Sequence, residues 1–161
     1  MAKIKDSGKR TAFETGAVRE IDETKGRCDL VYNCVWATMT SDEFYREIET
    51  FVRTGMRQPV YRAIDIAVQK IFNGDYDTAY LNLSEHYAQG AKKYADRNME
   101  KGLPWHSMVD SALRHYTKWR RGDDDEPHDR AVIWNLLTLL YMVDNKPELN
   151  DLPCKEENND N

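Results

Sequence analysis

Residues 120–135, RRGDDDEPHDRAVIWN, set Asp123, Asp124, Asp125 and Glu126 directly ahead of Pro127, His128 and an apolar run. Carboxylates placed there can cap a helix, whose first amides carry partial positive charge, at about 0.3–1 kcal/mol for each well-placed acid. Because four adjacent acids repel one another, they can equally hold a divalent cation through the oxygen ligands magnesium prefers. Acid and base recur elsewhere at helical spacing. Glu85 and Lys92 are seven apart and share a helix face, and the sequence runs on into Lys93, Arg97 and Asn98. Asp110 and Arg114 stand at i, i+4, the spacing of an exposed ion pair or of a metal ligand beside a phosphate clamp. A carboxylate for a cation next to several donors for phosphate oxygens is what a nucleotide polyphosphate needs, while mixed charge is also usual on a solvated helix. His128, Ala131, Asn135 and Thr138 point one way, a small polar face that either lines a cavity or meets water. Trp105, Trp119 and Trp134 suit the core, and could also stack on a base.

These residues need helices to position them, and the apolar spacing supplies five. Phe44, Ile48, Phe51 and Val52 form one stripe, with Thr40 and Glu43 in capping-box register before it and Gly55 after it. Pro59 opens the next helix, which carries Tyr61, Ile64, Val68, Ile71 and Phe72 and stops at Gly74. A third spans about 78–94 with Leu83, Tyr87, Ala91 and Tyr94 inward, and a fourth starts near Pro104 with Met108, Ala112, His115 and Trp119 on one side and stops at Gly122. Pro127 begins the fifth, which buries Val132, Ile133, Leu136, Leu137 and Leu140. Residues 29–36 also read as helix. The expected class is an all-α bundle, residues 28–150, between a basic N-terminal arm of residues 1–27 and a frayed polar tail of residues 151–161.

The whole chain has 161 residues, enough for one core. A formal net charge of −5 argues against a duplex nucleic acid partner. No apolar run is long enough to span a bilayer and no signal peptide is evident, so the expected place is the cytoplasm, without a membrane partner. Cys28, Cys34 and Cys154 form no metal or disulfide pattern and read as free thiols. No Ser-His-Asp order, catalytic-cysteine motif or Gly-rich phosphate loop appears; if the chain is an enzyme, metal-assisted hydrolysis is the class left standing.

Four blocks, RTAFETGAVREIDETKGRCDL at 10–30, EHYAQGAKKYADRNMEKGLP at 85–104, DSALRHYTKWRRGDDDEPHDRAVIWN at 110–135 and NKPELNDLP at 145–153, together resemble the phage-type dATP/dGTP diphosphohydrolase N-terminal domain family. That family is similar to the all-α MazG-type nucleoside triphosphate pyrophosphohydrolases, which cut between the α and β phosphates with divalent cations held by helix carboxylates. The resemblance implies a purine deoxynucleoside triphosphate (dGTP or dATP) as substrate, the monophosphate and pyrophosphate as products, Mg2+ or Mn2+ as cofactor, and a homo-oligomer. The ExxE and ExxD helices of MazG-type enzymes are replaced here by Asp110, Arg114 and His115, then His128 and Asn135, with Glu126 and Asp129 as an ExxD at the very start of its helix. The expected metal ligands are Glu85, Asp110 and Asp124, with Glu85, His115 and His128 in catalysis or proton transfer. Lys92, Lys93, Arg97 and Arg114 are expected on phosphates, with Asn98 and Asn135 orienting substrate, and Arg10 and Arg27 reaching in if the arm folds over. The rival reading is a non-catalytic helical nucleotide-binding or phage assembly module whose acids only cap helices.

Overall fold

The computed structural model describes residues 8–20 and 25–157. A short hairpin comes first, β1 (Arg10–Ala12) paired antiparallel with β2 (Val18–Glu20), with Thr11 opposite Arg19. A 3-10 turn at Cys28–Leu30 leads to α1 (Asn33–Thr40), α2 (Glu43–Thr54), α3 (Arg57–Phe72) and α4 (Tyr76–Tyr94). A second 3-10 turn, Asn98–Lys101, precedes α5 (Trp105–Arg121) and α6 (His128–Asn145), and α7 (Cys154–Glu157) closes the described chain. The mostly all-α expectation holds, and the five expected long helices are α2 to α6. Among the described residues no helix is long and apolar enough to cross a membrane.

Local chemistry explains most boundaries. Asp42, not Thr40, caps α2 by accepting from the Phe44 N–H, because Thr40 is itself the last residue of α1 and bonds back to Trp36. Asp75 caps α4 through the Thr78 N–H. Gly55 and Gly122 end α2 and α5 in the left-handed conformation that costs glycine least. The core lies where α2, α3, α5 and α6 meet: Phe44 stacks on Tyr116 with ring centres 3.7 Å apart, and Ile48, Phe51, Met108, Leu113, Leu136, Leu139 and Met142 are fully enclosed. Burying each such side chain contributes about 1.5–3 kcal/mol, so these stripes fix which faces meet.

Two expectations about the ends change. The described part of residues 1–27 is a hairpin docked on the helices: Asn98 donates to the Val18 C=O at 2.8 Å and accepts from the Val18 N–H at 3.1 Å, while the Thr15 hydroxyl donates to the Gly102 C=O at 2.7 Å. Asn98 thus acts as an extra strand partner. The segment 151–157 is anchored as well, since Leu152 and Cys154 are buried and the Cys154 Sγ packs against Gly55. Residues 158–161 of the expected tail, and residues 1–7 and 21–24 of the arm, lie outside the described residues. The three cysteines are free thiols.

Candidate functional site

The hairpin, α4, α5 and the start of α6 enclose a cavity of about 680 Å³, within the range of small-molecule sites. Six cationic side chains line it, Arg19, Lys25, Arg27, Lys93, Arg97 and Arg114, against three carboxylates, Glu20, Asp110 and Glu126. An acidic chain therefore carries an electropositive cavity, which selects an anionic ligand.

Most of those cations already have a carboxylate. Lys93 of α4 contacts Glu20 closely, Arg114 contacts Asp110 one helical turn away, Arg97 meets Glu100 at 2.8 Å and Arg27 meets Asp29 at 2.6 Å. Arg19 differs. Its place on β2 turns the side chain between α5 and α6, where its guanidinium hydrogen-bonds the Ser111 hydroxyl and, at 3.4 Å, the Asn135 amide oxygen, with the Met108 sulfur 3.8 Å away. All three partners are uncharged. Burial first, and then the neighbouring Arg114, lower its pKa to about 10, against a smaller opposing pull from Asp110 and Tyr94. The Arg114 Nε, also buried, has no hydrogen-bond partner.

Opposite charge gives way to an aromatic wall of His86, Tyr87 and Trp134, in which the His86 and Trp134 ring centres are 5.8 Å apart. The buried His86 Nδ1 has no hydrogen-bond partner, and burial, helped by Arg130, lowers the His86 pKa to about 4.

The four acids divide their roles. Asp123 pairs with Arg121, Asp125 with Lys118 and His128, Glu126 lines the cavity, and Asp124 is exposed outside it. No side chain caps α6, whose N-cap position is Pro127, so capping does not explain the acids. His115 and His128 face each other with their Nδ1 atoms 2.8 Å apart, and burial, then His128, keep the His115 imidazole neutral well below its ordinary pKa.

The structure brings Lys93, Arg97, Asn98, Asp110, Arg114, His115 and Asn135 to the cavity and leaves Glu85, Lys92, Asp124 and His128 off its wall. Glu85 turns away to bond Arg130 at 2.7 Å, because the α4 face it shares with Lys92 is the one next to the cavity-lining face. Glu85, Asp110 and Asp124 therefore do not converge: the Asp110 carboxylate accepts from the Cys28 N–H at 2.6 Å and from Arg114, and Asp124 sits in solvent. The three-carboxylate cage expected for Mg2+ is not formed. Asn98 has its amide spent on Val18, and Asn135 donates to the Ala131 C=O while steadying Arg19. Arg27 reaches the cavity, whereas Arg10 lies off its wall, 5.3 Å from the Tyr94 ring centre. Arg19 and His86 escaped the sequence reading, Arg19 because an arm was expected there and His86 because a lone histidine on a helix carries no pattern.

Residues 73–152 match the family model described as dATP/dGTP diphosphohydrolase, N-terminal. The chain belongs to that family. The match takes in α4, α5, α6 and the turns between them, hence the aromatic wall, Lys93, Arg114 and both facing histidines, while the hairpin and its Arg19 precede it. No curated protein and no solved structure matches the chain.

Proposed function

We propose that the cavity binds a purine deoxynucleoside triphosphate and that the chain hydrolyses it to the monophosphate and pyrophosphate. The observation that carries this reading is Arg19, a desolvated guanidinium bonded only to uncharged groups in a cavity with a surplus of cations. A part-buried guanidinium that no carboxylate hydrogen-bonds is costly to keep from water, and a phosphate beside Arg19 would supply that partner through paired, charge-assisted hydrogen bonds. The family description, which names dATP and dGTP, supports the choice of phosphate ester, and the wall of His86, Tyr87 and Trp134 offers a surface on which a purine can stack.

In this reading the entering phosphates compete with Asp110 for Arg114 and with Glu20 for Lys93. The freed carboxylates then stand beside the reacting group, within reach of water. The oxygen of water forms a bond to the α phosphorus, the bridging bond from the α phosphorus to the oxygen between the α and β phosphates breaks, and pyrophosphate leaves on the cationic side. One proton passes from the water to a freed carboxylate. Arg19, Arg114 and Lys93 stabilise charge that grows on the leaving group, a preorganised effect of several kcal/mol in such sites. A divalent cation, when bound, would add to that stabilisation. Glu85, Lys92 and Asp124 have no part in it.

The test incubates the protein with dGTP and dATP, with and without Mg2+ or Mn2+, and resolves the products. Deoxynucleoside monophosphate and pyrophosphate are expected. Release of inorganic triphosphate would assign a different hydrolase, and thermal stabilisation by nucleotide without any turnover would make the chain a binding module.

A further inference from the structure

The facing histidines are not accounted for by phosphate binding. His115 on α5, Glu126 in the connection and His128 at the first position of α6 each offer one ligand atom, all within 4.8 Å of one another. His115 and Glu126 line the cavity, and His128 lies just behind them, 2% exposed. The other ring nitrogen of His128, Nε2, is 2.7 Å from the Asp125 carboxylate, which Lys118 holds at 3.0 Å. A carboxylate there takes the Nε2 proton as a hydrogen bond, so the His128 Nδ1 keeps its lone pair and aims it at the His115 Nδ1. This carboxylate–histidine arrangement is how proteins orient imidazoles toward a metal.

From these residues we propose that His115, Glu126 and His128 hold one divalent first-row transition ion, such as Mn2+, Co2+ or Zn2+, in preference to Mg2+. Two nitrogens bound at about 2.1 Å to a common ion stand roughly 3 Å apart in an octahedral shell and roughly 3.4 Å apart in a tetrahedral one, so the two Nδ1 atoms, 2.8 Å apart, need part only slightly to admit it. Two imidazoles and one carboxylate also form a borderline donor set, whereas Mg2+ demands oxygen and sheds water reluctantly. With three protein ligands on one side, the remaining positions face the cavity, where phosphate oxygens would complete the shell. That last role rests on the function proposed above; the binding of the ion does not.

His128 also belongs to a second group, with Asp123 and Asp125, on the solvent side. That group is a poorer site, because Arg121 holds Asp123 and Lys118 holds Asp125. The two arrangements separate cleanly by mutation.

The experiment is titration of metal-free protein with Mn2+, Zn2+ and Mg2+ by calorimetry, and with Co2+ by visible absorption, without nucleotide. One ion per chain is expected, with Mn2+ or Zn2+ bound about 100-fold or more tightly than Mg2+. Glu126→Gln and His115→Gln should each weaken that binding by about 10- to 100-fold, Asp125→Asn by about 10-fold, and Asp123→Asn should leave it unchanged. Circular dichroism melting of the same proteins guards against loss of fold, and Glu126, in a connection rather than the core, provides the variant least exposed to that failure. Equal or tighter Mg2+ binding overturns the proposal, as does transition-ion affinity that survives Glu126→Gln or falls with Asp123→Asn. Nucleotide turnover measured on the same samples keeps the two readings apart: turnover without transition-ion binding sinks this site alone, and ion binding without turnover sinks the hydrolase alone.

Discussion

Two polar regions inside this bundle contrast in how their charges are met. Around Asp42, 2% exposed, every hydrogen bond has a use: its carboxylate accepts from the Phe44 N–H, from the Tyr116 hydroxyl at 3.0 Å and from Lys70 at 2.9 Å, with Arg120 at 3.3 Å. Around Arg19 the guanidinium hydrogen-bonds only neutral groups, with Asp110 felt from further off, and the Arg114 Nε and His86 Nδ1 have no partner. A satisfied network rigidifies a fold. An unsatisfied one beside a cavity points to something that arrives from solution.

That contrast can be broken by mutation. The largest expected effect is on stability at the satisfied end: Asp42→Ala removes the α2 cap and strands the buried Tyr116 hydroxyl, for a loss of about 3 kcal/mol in urea unfolding with nucleotide binding retained. Arg19→Ala should do the reverse, lowering kcat/KM for dGTP or dATP by roughly 100-fold, the value of a charge-assisted bond, while the melting temperature holds or rises. Unchanged turnover in Arg19→Ala would remove the central support of the proposed function.

The clasp between hairpin and bundle is open to the same kind of break. Gly102 has φ +118°, and a Cβ there would come within 2.6 Å of Leu149 and 3.3 Å of Thr15. Gly102→Ala should cost about 2 kcal/mol of stability through strain, and because Thr15 bonds the Gly102 C=O it should also loosen the hairpin and raise KM.

Acid sharpens the same comparison. The folded chain resists protonating His86 until about pH 4, whereas an unfolded chain takes up that proton near 6.5. Between those values the unfolded state binds more protons, so stability falls as pH falls, with a slope of at most about 1.4 kcal/mol per unit from this group. His86→Leu should flatten the slope in unfolding curves recorded from pH 7 to 4. Burial works against the charge on Asp42, but the bonds from Lys70, Phe44 and Tyr116 outweigh it and hold its carboxyl below the usual range. Its contribution is complete at neutral pH and is lost only further into acid, as pH falls through that depressed value. The smallest effect is expected from Tyr116→Phe, about 1 kcal/mol, since Asp42 keeps its other donors.

The helices carrying the site were legible because apolar spacing repeats along them, although Tyr61 and Tyr87, expected inward, are exposed, and α5 buries Leu113 and Tyr116 rather than His115 and Trp119 most fully. The hairpin was not legible, since three-residue strands give no alternation to read. Within the site, sequence spacing identified Asp110 with Arg114 and the helix face of His128 and Asn135, both of which reach or back the cavity wall. It misplaced Glu85, since a position one step round a helix is enough to move a side chain from cavity to solvent-side partner.

The sequence by itself determined the helical class, the helix stops at glycine and the neighbourhood of acids and histidines before α6, because these depend on interactions within a few residues. Only the tertiary structure decided that Arg19 lies part-buried between α5 and α6, that Glu85 and Asp110 stay apart, and that His115 meets His128. Those facts depend on the angles at which separate elements pack, and a charge's surroundings in a folded chain come mostly from residues remote in sequence.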